Sequence, residues 1–443
     1  MARRSQARAL DVWINGLRVG RWSIPTRGPM ELTYDPGWVE GPAARPLSLS
    51  LPLSFDGLPL RGERVGSYFD NLLPDSEAIR QRIRSRFHTR TQEAFDLLAA
   101  VGRDCVGAVQ LLPEGEAPEG VTEIAVTPLA DQDVEALLRG ATATPLAADE
   151  DESFRISIAG AQEKTALTWH DGRWCRPHGA TPTTHIFKLP LGLVGGRQMD
   201  LRDSLENEWL CAKLLAAFGV PVAECEVQRF GSMKALVVRR FDRTLHSSAR
   251  YWLRLPQEDC CQATGTPSSS KYEADGGPGL VTLASLLQGS VSRSEDLATL
   301  LRAQLLFFLL AATDGHAKNF SLHLLAGSRY RLAPLYDVLS AWPVAGPRAN
   351  QIHPKKLKLA MALHGASKHY RLDEIRRRHF AETARRCQVS TMDAILEEVV
   401  ARTPGAIDAV AGQLPAGFPA RVFAAITENL RRAGRELLEQ PPD

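Results

Sequence analysis

Apolar and polar residues alternate near the start of the chain. Leu10, Val12 and Ile14 occupy every second position, Asn15-Gly16 supplies a type I′ hairpin turn, and Val19 and Trp22 resume the pattern. Residues 47–53 (LSLSLPL) alternate in the same way and predict a further strand. Residues 75–86 predict a helix, with Asp75 or Ser76 as N-cap and Glu77 in the first turn. Arg80, Arg82, Arg84 and Arg86 make it basic, which suits a solvated face or a partner-binding one. Residues 114–120 and 141–152 read as linkers, the second ending in an acidic run.

A new unit begins near Phe154. Residues 154–158 and 164–169 predict strands around a Gly160-Ala161 turn, and 185–189 (HIFKL) predict a short apolar strand interrupted by Lys188. Leu205, Trp209, Ala212, Leu215 and Phe218 recur at helical spacing, with Gly219 as C-cap and Pro221 beyond it. Residues 227–230 and 235–239 predict a hairpin around Gly231-Ser232. After Arg254 helical periodicity takes over, at 280–287, 294–312, 372–386, 391–400 and 420–440. The pattern is that of an α+β protein. It has a β-rich N-terminal unit (1–115), a mostly β lobe with one helix (150–256) and a mostly α lobe (257–443).

Composition narrows the class. The 443 residues are 44% hydrophobic, with 53 Lys and Arg against 51 Asp and Glu, a net charge of +2. This excludes low-complexity disorder and argues against a chain whose main task is to coat nucleic acid. The longest apolar run, 305–313, is about half the roughly 20 residues a membrane span needs. The N-terminus lacks a secretory apolar region, so a cytoplasmic protein with no membrane partner is expected. Seven cysteines, without zinc-ligand spacing, read as structural thiols.

The densest polar cluster, Thr313 to Asn319 (TDGHAKN), follows the most apolar helix. Asp314 and Asn319 have the spacing of a kinase catalytic loop, in which an Asp accepts the proton of the attacking hydroxyl and an Asn ligates Mg²⁺. Alone, the spacing also fits a helix end with solvated polar residues. Asp337, after Leu335 and Tyr336, is a candidate second metal ligand or a solvated turn residue. Lys188 inside an apolar strand needs an anion, either a phosphate or a carboxylate, unless it turns to solvent, and Glu206 and Glu208 lie on the next helix. Residues 157–165 hold a small-residue turn whose N–H groups are able to cover phosphates, or an ordinary hairpin. Together the pieces come in kinase order, and ATP-dependent phosphoryl transfer is the leading reading.

These residues carry a family resemblance. RPLSLSLPL (45–53), FDNLLPDS (69–76), FDLLAAVGRDCVGAV (95–109), RISIAGAQEKTAL (155–167), TPTTHIFKLP (181–190), RFDR (240–243), RLPQEDCCQATG (254–265), KYEADGGPG (271–279), ATDGHAKNFS (312–321) and YDVLSAWP (336–343) resemble the HipA family of toxin serine/threonine kinases. The resemblance implies a bilobal protein-kinase-like fold behind a HipA-type N-terminal domain, with ATP and Mg²⁺ as cofactors. It implies that Asp314 is the catalytic base and that Asn319 and Asp337 are the Mg²⁺ ligands. Ala159, Gly160, Ala161, Gln162, Glu163 and Lys164 would form the ATP loop, with Lys188 on the phosphates. Arg239, Arg240 and Phe241 would meet adenine at the hinge, with His316, Ala317, Lys318, Asn319, Tyr336 and Asp337 lining the nucleotide site. Ser157 would be the autophosphorylated serine. At the hinge Arg239 stands where the family commonly has Glu. The partners implied are a HipB-like helix-turn-helix antitoxin, operator DNA through that antitoxin, and glutamate–tRNA ligase as substrate. The basic run Arg376-Arg377-Arg378-His379 is able to touch DNA backbone in such a complex, or to be a solvated helix face. A catalytically silent co-repressor and a small-molecule kinase are the alternatives.

Overall fold

The computed structural model describes residues 8–142, 162–196 and 198–441. Strands Arg8–Ile14 and Leu17–Ile24 form the expected hairpin, with Asn15 and Gly16 both at positive φ. They belong to a five-stranded antiparallel sheet closed by Val109–Pro113. Helices Glu63–Asp70 and Ala94–Val101 cover one face of it, with Trp22 stacked on Phe69 at 3.9 Å. The helix Glu77–Arg86 is capped by Ser76, and buries no residue fully.

Residues 47–53 are not a strand. The segment is a turn closed by Leu51 N–H on Ser48 O. Leu47 N–H and Leu51 O are held by the Tyr34 hydroxyl, and several other polar groups reach the C-terminal part of the chain. The Ser48 and Ser50 hydroxyls donate to Gln262 O, and Leu49 N–H donates to Glu258 Oε1 at 2.9 Å. Alternation here reflects docking rather than a ladder: Leu47 and Leu51 enter the N-terminal core, while Leu49 packs against the C-terminal core beside the Ser48 and Ser50 contacts.

The second layer is a six-stranded antiparallel sheet. It includes Lys164–His170, Arg173–Pro177, His185–Lys188, Cys225–Phe230 and Met233–Arg239, and its edge strand Val126–Pro128 comes from before the acidic run. The helix Asp131–Thr142, for which the sequence pattern gave no element and whose last two residues fall in the expected 141–152 linker, packs Val134 and Leu138 on Leu167, Phe187 and Phe230. The other face takes the helix Ser204–Ala217. That helix shares a continuous apolar core with Arg293–Leu309, Met392–Ala411 and Ala420–Leu438. Met392–Ala411 runs past its expected end, and through Pro404, because Ala406, Ile407 and Val410 extend the same buried face. The helix expected over 372–386 starts only at Arg377, since Leu372 N–H pairs with Leu357 O beside a strand hairpin. The helical part also contains a three-stranded sheet of Gln257–Asp259, Ser321–Leu325 and Arg329–Leu332. All seven cysteines are buried and unbridged. No helix among the described residues is long and apolar enough to cross a membrane.

A buried ion cluster joins the N-terminal sheet domain to the rest. Asp104 lies 3.0 Å from Arg243, 3.2 Å from Arg254 and 3.5 Å from Arg240, and Asp242 pairs with Arg240 at 2.7 Å. Thr183 donates its N–H and hydroxyl to Asp104, and Gly107 N–H donates to Asp242. Burial opposes the charge on Asp104, yet Arg243, Arg240 and Arg254 hold it far below the usual carboxylate range. Gly107 is at positive φ, and a Cβ there would meet Gln257 O at 2.6 Å, so the two parts approach backbone to backbone. Removing Asp104 would leave three buried guanidinium groups facing one carboxylate. The expected outcome for Asp104→Ala is a loss of about 3–5 kcal/mol, measured by denaturant unfolding of the full chain.

Candidate functional site

The strands Lys164–His170 and His185–Lys188 pair so that Lys164 and Lys188 are directly opposite. Two lysines side by side on one sheet face repel unless anions meet them. Lys188, at the buried end of its strand, donates to Glu208 Oε1 and to Asp337 Oδ1, both at 2.6 Å. Glu208 comes from the helix Ser204–Ala217, whose N-terminal half is buried on both sides. Burial works against the Lys188 ammonium, but Asp337 and Glu208 hold it charged above the ordinary lysine range. Asp337 also resists burial and, beside Lys188 and Lys164, stays well below the usual carboxylate range. Lys164 is pushed down to about 8, chiefly by burial, with Asp337 opposing and Lys188 adding to the shift. Glu206 points elsewhere and pairs with Lys234.

The helix Arg293–Leu309 delivers the polar loop. Its apolar end is buried, and Gly315 rests so closely on it that a Cβ would lie 2.4 Å from the Phe307 ring. Asp314 emerges from this anchor with its side chain 63% exposed. It accepts a hydrogen bond from the Tyr272 hydroxyl at 2.5 Å. His316 is buried edge-on to Tyr272 and burial presses it down to about 4, so it is neutral. Ala317 is buried. Asn319 donates to Asp337 O at 3.3 Å, while its Oδ1 is buried with no partner among the described residues. Tyr336 fixes the same corner, donating to Lys318 O at 2.7 Å. Asp337 holds φ at +61°, a left-handed conformation that Asp and Asn tolerate better than most residues.

The expected site residues therefore divide. Lys164, Lys188, Asp314, His316, Asn319, Tyr336 and Asp337 are brought to one corner. Gln162 donates to Leu189 O, and Glu163 pairs with Arg82 of the N-terminal domain. Lys318 turns to Asp75 at 2.7 Å. The Arg240 side chain is in the buried ion cluster rather than at this corner, although its N–H bonds Thr184 O at 2.9 Å. Arg239 is exposed and pairs with Glu224 at 3.0 Å, so the departure from the family's Glu gives a surface ion pair. Phe241 packs beside Tyr336 and His323. Ser157, Ala159, Gly160 and Ala161 lie outside the described residues. In the basic run, Arg377 and His379 are buried and Arg377 is paired with Asp393, leaving Arg376 and Arg378 exposed.

Two groups at this corner went unread in the sequence. Tyr272 lies within KYEADGGPG, and a tyrosine in a glycine-rich turn gives no periodic signal. Asp75 looked like a helix cap, but Ser76 fills that role, and Asp75 takes Lys271 and Lys318 instead. The informative sign was redundancy, since two adjacent capping residues precede one helix.

A sheet-borne lysine paired with a helix glutamate, facing an aspartate–asparagine loop and a further aspartate, defines a protein-kinase-like architecture. Comparison with known proteins agrees. Residues 156–407 match the HipA-like C-terminal domain and residues 10–112 the HipA N-terminal domain. The chain belongs to the HipA family. It is 33% identical to the putative kinase Y4mE of Sinorhizobium fredii over 359 residues, covering 80% of this chain and 82% of that one. It is 27% identical to the serine/threonine-protein kinase toxin HipA of Shewanella oneidensis over 346 residues, 75% of each chain. Its fold matches HipA in the complex of Shewanella oneidensis HipA, HipB and operator DNA, with a TM-score of 0.77, 23% identity and 97% of both chains covered.

Lys164 gives the site a pH dependence. Its charge is present below about 8 and lost above. A triphosphate favours the charged form, so its affinity is expected to weaken as pH rises through that value, with proton uptake on binding at alkaline pH. Isothermal titration calorimetry in buffers of different ionisation enthalpy checks both signs.

Proposed function

We propose that the chain is an ATP-dependent protein serine/threonine kinase of the toxin type. The observation that carries this reading is the buried Lys188 shared between Glu208 and Asp337, with the orphaned Asn319 Oδ1 beside it. A carboxylate next to a buried amide oxygen is the kind of all-oxygen donor set a hard divalent ion takes, the rest of its shell coming from water and phosphate. Asp337 and Asn319 would hold Mg²⁺, which neutralises charge on the transferring phosphoryl group. Lys188 and Lys164 bind and orient phosphate oxygens. Asp314, the exposed carboxylate of the loop, orients the acceptor hydroxyl and takes its proton. The Phe307–Gly315 contact keeps that carboxylate at a fixed height above the core. By resemblance, Phe241, which packs beside Tyr336, would flank adenine at the hinge.

The finer reading follows the family. The substrate is a host protein, glutamate–tRNA ligase by resemblance, whose modification would halt translation. Ser157 is the site of autophosphorylation. The chain works in the cytoplasm with a HipB-like helix-turn-helix antitoxin and reaches operator DNA through it as co-repressor, a partnership supported by the likeness to HipA in a Shewanella oneidensis complex with HipB and operator DNA. A near-neutral net charge of +2 suits DNA contact that depends on a partner.

Asp314→Ala is expected to lower phosphotransfer about 10²–10⁴-fold. Asp337→Asn keeps the left-handed backbone and leaves Glu208 on Lys188, so it is expected to fold with reduced stability and to abolish transfer. Radiolabelled ATP with host lysate reads both. A single labelled protein band lost in the variants supports the reading, label confined to small molecules supports a small-molecule kinase, and no turnover supports a silent co-repressor.

A further inference from the structure

We infer that Asp75, in the N-terminal domain, is a positioning residue for phosphoryl transfer. The inference rests on the proposed kinase activity and assigns that domain a part in it. Asp75 gives one carboxylate oxygen to each of two lysines: Oδ1 to Lys318 Nζ at 2.7 Å and Oδ2 to Lys271 Nζ at 2.8 Å. All three side chains are largely withdrawn from solvent, where such pairs are costly to break.

Each lysine leads to a different part of the chemistry. Lys318 is in the loop between Asp314 and Asn319, and its carbonyl accepts the Tyr336 hydroxyl next to Asp337. Lys271 precedes Tyr272, whose hydroxyl is the donor on Asp314 Oδ1. One carboxylate thus fixes the metal-ligand side of the loop through Lys318 and the orientation of the base through Lys271 and Tyr272. The Tyr272 bond occupies one oxygen of Asp314, and so selects which oxygen faces an acceptor hydroxyl.

Neighbouring contacts keep Asp75 in place. Asp70, on the preceding helix, accepts from the Ser268 hydroxyl at 2.5 Å and from Arg80 at 2.7 Å, gripping the segment that carries Lys271. Arg82, on the following helix, pairs with Glu163 next to Lys164. The N-terminal domain therefore meets the ATP-loop end, the catalytic loop and the Tyr272 segment from one short stretch, residues 70–82. A surface that served only to bury area would not need to place charged groups at three parts of one site.

The test uses the purified full chain. Asp75→Asn is nearly isosteric and leaves both lysines without their anion. Its kcat is expected to fall about tenfold to a hundredfold, the scale of a small misplacement of reacting groups. KM for ATP is expected to change little. Lys271→Met, which removes the same bridge from the other side, should lower kcat likewise and serves if Asp75→Asn folds poorly by thermal melt. Tyr272→Phe keeps the ring against His316 and removes the donor. In that background Asp75→Asn is expected to cost clearly less than it does alone, because one of its two routes is already cut. Wild-type kcat in both bridge variants, or a loss fully additive with Tyr272→Phe, overturns the inference and leaves the kinase reading standing. A wild-type chain that transfers no phosphate overturns the kinase reading and this inference with it.

Discussion

The corner depends on one buried ammonium. Lys188 sits in an apolar strand where an isolated charge is not tolerated, and its stability there requires carboxylates from two other elements. Glu208 is 20 residues away and Asp337 is 149 residues away. Satisfying that one charge therefore fixes the helix Ser204–Ala217 against the sheet and pulls the chain after Tyr336 up to the same point. The positive backbone angle of Asp337, the contact of Asn319 with Asp337 O and the seat of Tyr336 on Lys318 O are all arranged around it.

The second constraint is that the three parts of the chain cannot be treated as beads on a string. The N-terminal sheet domain contributes Asp104 to a buried cluster with the arginines of the hinge region, and Leu49 N–H to the buried Glu258. Burial raises Glu258 to about 8, so this interface holds a carboxylic acid largely neutral at ordinary pH. Such an interface combines strong ion pairs with a neutral, hydrogen-bonded carboxylic acid.

Much of this was legible in the sequence. The first hairpin, the helix over 280–287, the Lys188 strand and the order of lysine, glutamate, aspartate and asparagine all follow from periodicity and spacing. The separate β-rich N-terminal unit was read from the same pattern, and family resemblance then gave it as a HipA-type domain. What failed did so for physical reasons. Residues 47–53 alternate because the segment docks between the N-terminal and C-terminal cores, which period-two patterning cannot tell from a ladder. The helix Asp131–Thr142 was hidden by the polar run that follows it, although Val134, Leu137, Leu138 and Ala141 have helical spacing. Between Glu206 and Glu208 the sequence leaves the lysine partner open, because only the helix phase against the sheet decides it. Tyr272 was out of reach for another reason, since its partner is 42 residues away and pairwise contact has no local signature, while Asp75 showed only as a surplus cap and its partners are 196 or more residues away.

The left-handed turn at Asp337 also bears on which sequences can occupy this site. Apart from glycine, the residues that accept such a backbone most readily are aspartate and asparagine, and these are also short oxygen donors. Glutamate has the charge but lacks the conformational tolerance, and its extra methylene would carry the carboxylate past Lys188. Backbone geometry and ligand chemistry therefore filter substitutions here independently and pass nearly the same pair of residues. Drift at this position is narrow even before selection for activity acts, and the one conservative step open to it, aspartate to asparagine, keeps the shape of the turn while discarding the charge that holds Lys188.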